Sequence, residues 1–257
     1  MIIIPMAGLS DRFYAAGYSV PKFKLKLRGE YLFHHSVKSF EAYFAEEKFL
    51  FIALKKYNSE KFISNECFKM GIKNFNIITL DNPTRGQAET IYQGIKEFNI
   101  PKSEPLLIFN IDTFRPKFVF PKEYNTQDVD GYLETFIGSG ENWSNVMPLN
   151  KEKKTVKYTA EKQQISKYCC TGLYYWRQSK AFCEAFENTY LMKNNEEIKS
   201  EFFIAPLYNY LINLDKKVHY SIIDVSEVII CGTPQEYEDL CIKNSESNFP
   251  EHSNKSF

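Results

Sequence analysis

Four short runs, apolar throughout at Ile2–Ile4 and Phe49–Leu54 and mainly so at Phe75–Leu80 and Leu106–Ile111, punctuate the first half of the chain, and between them stand stretches with helical periodicity. An uninterrupted apolar run of this length is what a strand covered on both faces requires, whereas a half-exposed strand would alternate. Strands of this kind separated by helices imply parallel β-α-β units. The expected helices are one carrying Leu32, Phe33, Val37 and Phe40, then 57–70 and 87–98, with an additional strand at Lys22–Leu27 that turns at Arg28-Gly29-Glu30. After about residue 115 the rhythm changes. Gly131–Ile137, Thr155–Ala160 and Cys170–Trp176 read as strands with little helix between them, which predicts mixed pairing and an insertion beside the first sheet. Helices return near 178–189 and 201–213, strands near 218–223 and 227–231, and Thr233-Pro234-Gln235-Glu236 has the residues of a capping box that starts a last helix. The expectation is one domain over 1–243, with a nucleotide-binding half at about 1–115 and an acceptor-binding half at 116–243, followed by a polar, flexible tail at 244–257.

Composition narrows the partners. The 257 residues are 44% hydrophobic, enough for a substantial core. Lys plus Arg and Asp plus Glu each total 32, so no net field holds a polyanion, and a small-molecule partner is expected rather than nucleic acid. Six cysteines without C-x-x-C spacing give neither a disulfide scaffold nor a zinc site. No apolar run approaches membrane-spanning length and no cleavage pattern follows Met1-Ile2-Ile3-Ile4-Pro5, so a cytoplasmic location without membrane attachment is expected.

Three segments could carry chemistry. Pro5-Met6-Ala7-Gly8-Leu9-Ser10-Asp11-Arg12 leaves the carboxyl end of the first strand, where open α/β sheets bind ligands; Gly8 lets backbone approach a phosphate, and Arg12 and Lys22 could neutralise it. An ordinary turn with solvated basic residues is the plainer reading. Thr84-Arg85-Gly86-Gln87-Ala88-Glu89-Thr90 opens a helix whose free amides, with Gln87 as donor and acceptor, could read a nucleobase; as a bare helix start, Thr84 caps and Glu89 complements the dipole. Asp112 ends an apolar strand and needs a metal, a hydroxyl or an arginine, with Arg115 the nearest candidate. Further on, Glu161-Lys162 could present an ammonium and Thr171-Gly172-Leu173-Tyr174 a close backbone approach.

In this order, over about residues 1–240, the segments resemble the sugar-nucleotide pyrophosphorylase family, nucleotidyltransferases that join a nucleoside monophosphate to a phosphorylated sugar or small alcohol. The resemblance implies a Rossmann-like three-layer α/β fold with a mixed, mainly parallel central sheet. That family's A-G-x-G-x-R loop and following P-K wrap the triphosphate, matched here by Ala7-Gly8, Arg12 and Pro21-Lys22, with Leu9 completing the loop. Ser10 stands in place of the second glycine and Asp11 in place of a small hydroxyl residue. Gly86-Gln87 resembles the base-contacting turn, Asp112 the magnesium-binding aspartate, Glu161-Lys162 the E-K-P step with Gln163 for proline, and Thr171-Gly172 part of the strand that contacts the acceptor. The second metal aspartate, two residues before a G-T pair, is replaced by Ile230, and Asp224 is the nearest substitute.

The implied roles are Arg12 and Lys22 on the triphosphate, Lys162 on the acceptor phosphate, Mg²⁺ on Asp112, and Glu161, Thr171 and Gly172 at the acceptor. The partners implied are a nucleoside triphosphate and a phosphorylated small molecule, with a homo-oligomer compatible and surface-polysaccharide or capsule precursor synthesis as the setting. His34 and His35 are read as helix residues rather than bases, Cys169 and Cys170 as buried thiols, and Phe13, Tyr14 and Tyr18 as packing rather than a lid. Two competing readings remain: a GT-A-type glycosyltransferase, which would ordinarily show D-x-D where this chain has Asn110-Ile111-Asp112, and an inactive nucleotide-binding relative.

Overall fold

The computed structural model describes residues 1–122, 128–192 and 201–246. In chain order its strands are β1 (Ile2–Met6), β2 (Lys26–Leu27), β3 (Glu30–Tyr31), β4 (Phe49–Leu54), β5 (Phe75–Leu80), β6 (Leu106–Phe109), β7 (Thr113–Phe114), β8 (Gly131–Ile137), β9 (Ser144–Asn150), β10 (Thr155–Glu161), β11 (Tyr168–Trp176), β12 (Val218–Ile223) and β13 (Ile229–Ile230). The helices are α1 (Asp11–Ala15), α2 (Leu32–Val37), α3 (Glu60–Met70), α4 (Gln87–Glu97), α5 (Ser179–Phe186), α6 (Tyr208–Asn213) and α7 (Pro234–Glu246). Nine strands form one sheet in the order β5-β4-β1-β6-β11-β8-β12-β10-β9.

Alternation along β1 shows why a continuous apolar run was needed. Ile3 joins the core on one face, with Ala88 and Ile91 of α4 and Phe182 of α5, while Ile2, Ile4 and Met6 join the core on the other, with Phe33 of α2 and Ile63 of α3. Helices on both faces make three layers. The β1 run extends one residue past Pro5, in the middle of a sheet where proline is ordinarily excluded. The pairing of β1 with β6 covers only Ile2 and Ile3, so Pro5 sits where the ladder on that side has already ended.

The sheet is mixed, as expected, with its parallel order concentrated in the first half. β1, β4, β5 and β6 are parallel, and β11 then runs antiparallel to β6 and to β8. Among the described residues, only β12 and β8 pair in parallel beyond that point. The two halves share this one sheet across the β6–β11 seam.

Several expectations are revised locally. Lys22–Lys24 is a 3₁₀ turn rather than strand, closed by the Leu25 amide donating to the Lys22 carbonyl, and only Lys26–Leu27 is extended. The helix expected over 201–213 begins as a 3₁₀ turn at Ala205–Leu207, where Pro206 has no N–H to give, and α6 follows. Strand β9 was not foreseen: it contains Pro148, which the sheet edge and a register shift accommodate. The expected capping box forms, with Glu236 accepting from the Thr233 amide and Thr233 Oγ1 accepting from the Glu236 amide. Asn244–Glu246 continue α7, and the rest of the expected tail lies outside the described residues. Among the described residues no helix is long and apolar enough to cross a membrane.

Candidate active site

At the carboxyl ends of β1 and β6 lies a cleft of about 460 Å³, lined by Ala7, Gly8, Leu9, Ser10 and Asp11 of the first loop, by Lys22, and by Thr84–Gln87 and Asp112. A smaller hollow of about 220 Å³ adjoins it, lined by Asn110, Trp143, Glu161, Thr171, Gly172 and Ile230 among others. Gln87, Asp112 and Glu201 belong to both linings, so the two spaces share a wall.

The loop after β1 is held from behind. Tyr57, in the turn after β4, donates its hydroxyl to the Leu9 carbonyl at 2.7 Å and to the Gly8 carbonyl at 3.2 Å, and burial raises its pKa strongly. Both bonds engage carbonyl oxygens of the loop that lines the cleft. Ser10 adopts a left-handed conformation, φ 58°, and its hydroxyl accepts from the Lys22 amide at 3.2 Å. A glycine would enter that conformation without cost, but it could not tie the loop to the segment carrying Lys22. Lys22 Nζ lies 2.5 Å from Asp112 Oδ2, with both side chains about one-fifth exposed. Arg115, the plainer alternative partner for Asp112 by nearness in sequence, faces elsewhere: its Nε donates to Glu134, and its Nη1 lies 3.2 Å from Glu227.

The second wall is a close backbone approach. Gly86 has φ 148°, and a Cβ there would meet the Phe202 carbonyl oxygen at 2.5 Å. Two backbone bonds lock the approach, Ala88 amide to Phe202 carbonyl and Phe202 amide to Arg85 carbonyl. The amides at the start of α4 are therefore partly committed: Ala88 to Phe202 and Arg85 to the Glu89 carboxylate. This corrects the expectation of a freely offered helix start; of the polar side chains this turn presents to the cleft, Gln87 is one that lines both spaces.

The smaller hollow has a different character. β11 bulges between Cys170 and Tyr174. Gly172, φ 95°, lies at that bulge, and a Cβ there would strike the Asn110 amide at 2.5 Å. Thr171 donates to Glu134 Oε1 at 3.1 Å, joining the hollow to the buried Arg115–Glu134 pair. Glu161 accepts a short hydrogen bond from the Ser144 hydroxyl, and burial pushes its carboxyl above the usual range. Lys162 Nζ stands 3.7 Å from Glu201 and over the Phe203 ring.

The chain matches no protein-family model and no curated protein. Among solved structures it is similar to the nucleoside-diphosphate-sugar pyrophosphorylase from Vibrio cholerae RC9, with 44% identity, 94% of this chain and 100% of that chain covered, and a TM-score of 0.88. The chain belongs to the nucleoside-diphosphate-sugar pyrophosphorylase family. It is thus a nucleotidyltransferase. Two more distant structures share the fold: the inositol-1-phosphate CTP transferase from T. maritima (14% identity, 95% and 96% covered, TM-score 0.70) and UDP-glucose pyrophosphorylase complexed with UDP-glucose (16%, 96% and 98%, TM-score 0.71).

In this enzyme the structure brings Lys22 and Asp112 into contact and sets Lys162 against Glu201 on the shared wall, while Arg12 lies exposed on α1 beside the lining residue Asp11. Asp224 does not join Asp112. It is the N-cap of an exposed turn, its carboxylate accepting from the Ser226 amide and hydroxyl, and it lines neither space. The acid that stands near Asp112 is Glu236: both carboxylates approach the Cβ position of Gly232, Asp112 Oδ2 to 3.2 Å and Glu236 Oε2 to 3.7 Å. Its capping role made it visible in sequence, but its nearness to Asp112 depends on β13 pairing with β7. Tyr57, Asn110 and Glu201 were also not foreseen as site residues, since each reaches the site by a long-range contact. His35 bonds the Leu27 carbonyl through Nε2, and neither His34 nor His35 lines the cleft, in keeping with their reading as helix residues. Phe13, Tyr18 and Tyr237 pack against one another instead of forming a lid.

Proposed function

We propose that this nucleotidyltransferase joins a nucleoside monophosphate, taken from the triphosphate, to a sugar 1-phosphate, and releases pyrophosphate. The observation that carries the reading is the Lys22–Asp112 pair at the wall shared by a glycine-loop cleft and a smaller polar hollow. A triphosphate laid along Ala7–Ser10 would meet backbone and the Lys22 ammonium, with Arg12 at the rim and Gly86 and Gln87 facing the base. Glu161, Asn110 and Thr171 of the hollow would meet the hydroxyls of the acceptor, and Lys162 would exchange Glu201 for the acceptor phosphate.

The chemistry is an in-line displacement: an oxygen of the acceptor phosphate forms a bond to the α-phosphorus as the bond to the bridging oxygen of the β-phosphate breaks, and pyrophosphate departs with that oxygen. No base is needed, because the attacking phosphate is already ionised. The protein's contribution is positioning and charge neutralisation.

Mg²⁺ fits the donor chemistry at Asp112, since this ion is ordinarily held by one or two carboxylates together with substrate phosphates. When bound, the ion supplies charge neutralisation at the phosphates. Asp224 has no part in holding it, and Glu236 is the available second carboxylate. The nucleotide-activated product would serve surface-polysaccharide synthesis.

Mixing the enzyme with each of four nucleoside triphosphates and a panel of phosphorylated sugars and alcohols tests this directly. Pyrophosphate release that requires both substrates is expected, and the productive pair names the base and acceptor. Release of a nucleoside diphosphate from a nucleotide sugar, with no pyrophosphate from any pair, would overturn the reading in favour of a glycosyltransferase.

A further inference from the structure

Away from both spaces of the active site, three side chains from separate elements converge. Glu30 of β3, His34 of α2 and Glu66 of α3 each offer one ligating atom, and these atoms lie within 4.8 Å of one another. None of the three lines the catalytic cleft or the acceptor hollow. Glu30 and His34 are four residues apart, and Nδ1 of His34 stands 3.4 Å from Glu30 Oε2. That nitrogen is sealed from solvent and has no hydrogen-bond partner. Glu66 is deeply buried for a carboxylate, with its side chain only 4% exposed, and it pairs with the mostly exposed ammonium of Lys69, 2.6 Å from Oε1.

A sealed imidazole nitrogen without a hydrogen bond and a buried carboxylate balanced by one surface lysine are both costly arrangements for a chain to keep without further compensation. A divalent cation between them removes both costs. Metal–ligand bonds of about 2.0–2.2 Å place tetrahedral donors about 3.4 Å apart, which is the separation already present between His34 and Glu30. One imidazole with two carboxylates suits zinc and its first-row neighbours rather than magnesium, which favours an all-oxygen shell. Three protein ligands leave a fourth position for water.

We propose that Glu30, His34 and Glu66 form a binding site for a first-row divalent cation of the zinc class, separate from the magnesium chemistry at Asp112. The bound ion pins the β3–α2 segment to α3. His35, beside His34, fixes the β2–β3 turn through Leu27, and that turn follows directly on the loop bearing Lys22. The site therefore braces the nucleotide half from behind and takes no part in the transfer.

The test uses the full-length chain stripped with chelator and then titrated with Zn²⁺ by calorimetry, and with Co²⁺ by visible absorption, in excess Mg²⁺. One tight equivalent is expected, together with a cobalt d–d band and a rise in Tm. Loss of an outer partner of a metal ligand already costs about 10- to 100-fold in affinity, so His34→Gln or Glu66→Gln should lose more than about 100-fold. Glu30→Gln, at the exposed end of the cluster, is the variant least able to disturb folding and must weaken binding in the same direction. Failure of the native chain to bind Zn²⁺ would overturn the proposal, and so would binding with undiminished affinity in Glu30→Gln and His34→Gln. No readout depends on transfer activity, so this result and the proposed reaction stand or fall separately.

Discussion

The two halves of the active site are built by opposite means. On the side proposed for the nucleotide, parallel strands end at a loop that lines the cleft, and the charged groups of the lining, Asp11, Arg85, Glu201 and the Lys22–Asp112 pair, are all at least partly exposed. On the side proposed for the acceptor, an antiparallel strand bulges at Gly172, and the polar groups Thr171, Glu134 and Arg115 are buried and joined in turn, reaching the surface where Arg115 meets the half-exposed Glu227 in the turn capped by Asp224. A loop that offers backbone can accept any triphosphate, whereas a buried polar network fixes one arrangement of donors and acceptors. The contrast teaches where substrate choice resides and where stability is at stake.

If that contrast holds, the largest single effect lies in the acceptor half and is on stability. Arg115 is 8% exposed and Glu134 2%, and burial raises the Glu134 carboxyl even beside the guanidinium. Arg115→Ala leaves that carboxylate unpaired, so a loss of about 3–5 kcal/mol in unfolding free energy is expected, read by urea denaturation. A change under about 1 kcal/mol would mean the network is not what holds this half together.

The next effect belongs to the nucleotide half and is on rate. Lys22→Ala removes the cation at the shared wall and should lower kcat by about 10²–10³-fold, near 3–4 kcal/mol, in a pyrophosphate-release assay, with little change in Tm. A large loss of stability instead would show that the exposed pair is structural and would erase the contrast.

The same contrast explains what the sequence made legible. β1, β4 and β6 are apolar on both faces and β5 mainly apolar, and the loop and turn that follow them sit next to them in sequence, so Ala7–Ser10, Lys22, Gly86, Gln87 and Asp112 could be named without knowing any long-range contact. Glu161, Thr171 and Gly172 were named from their motif order. Their support was not readable: Ser144 sits on the unforeseen β9, and Glu134 is an isolated acid inside an apolar strand. Asp224 misled because nearness in sequence to Gly232-Thr233 does not survive the turn it caps, while Glu236 reaches Asp112 from the helix beyond. Tyr57 reaches Leu9 across 48 residues of sequence and Glu201 reaches Lys162 from a separate segment, contacts that local pattern cannot encode.

Glu161→Gln sharpens the comparison on substrate choice. Its carboxyl titrates above the usual carboxylate range because it is buried, and it should be ionised to accept hydroxyls from the acceptor. Activity should therefore fall as pH drops through that raised pKa, earlier than an exposed carboxylate would cause. Glutamine should remove this acid limb while raising the acceptor KM by about 10- to 100-fold, about 1–3 kcal/mol, and leaving the nucleotide KM nearly unchanged. An equal rise in both constants would place Glu161 at the shared wall instead of in the acceptor hollow.

The smallest effect is expected at Ser10, where the chain departs from the glycine usual in loops of this kind. Glycine relieves a left-handed conformation that costs a side-chain-bearing residue about 1–2 kcal/mol. It also forfeits the hydrogen bond to the Lys22 amide, about 0.5–1.5 kcal/mol, and adds freedom to the unfolded chain. These contributions nearly cancel, so Ser10→Gly should change unfolding free energy by less than about 1 kcal/mol. What should change is the tether: Lys22 loses its fixed distance from the loop, and the nucleotide KM should rise a few-fold while the acceptor KM stays constant. Parallel changes in both constants would mean that Ser10 holds the whole cleft, and that the nucleotide half is as tightly networked as the half it was contrasted with.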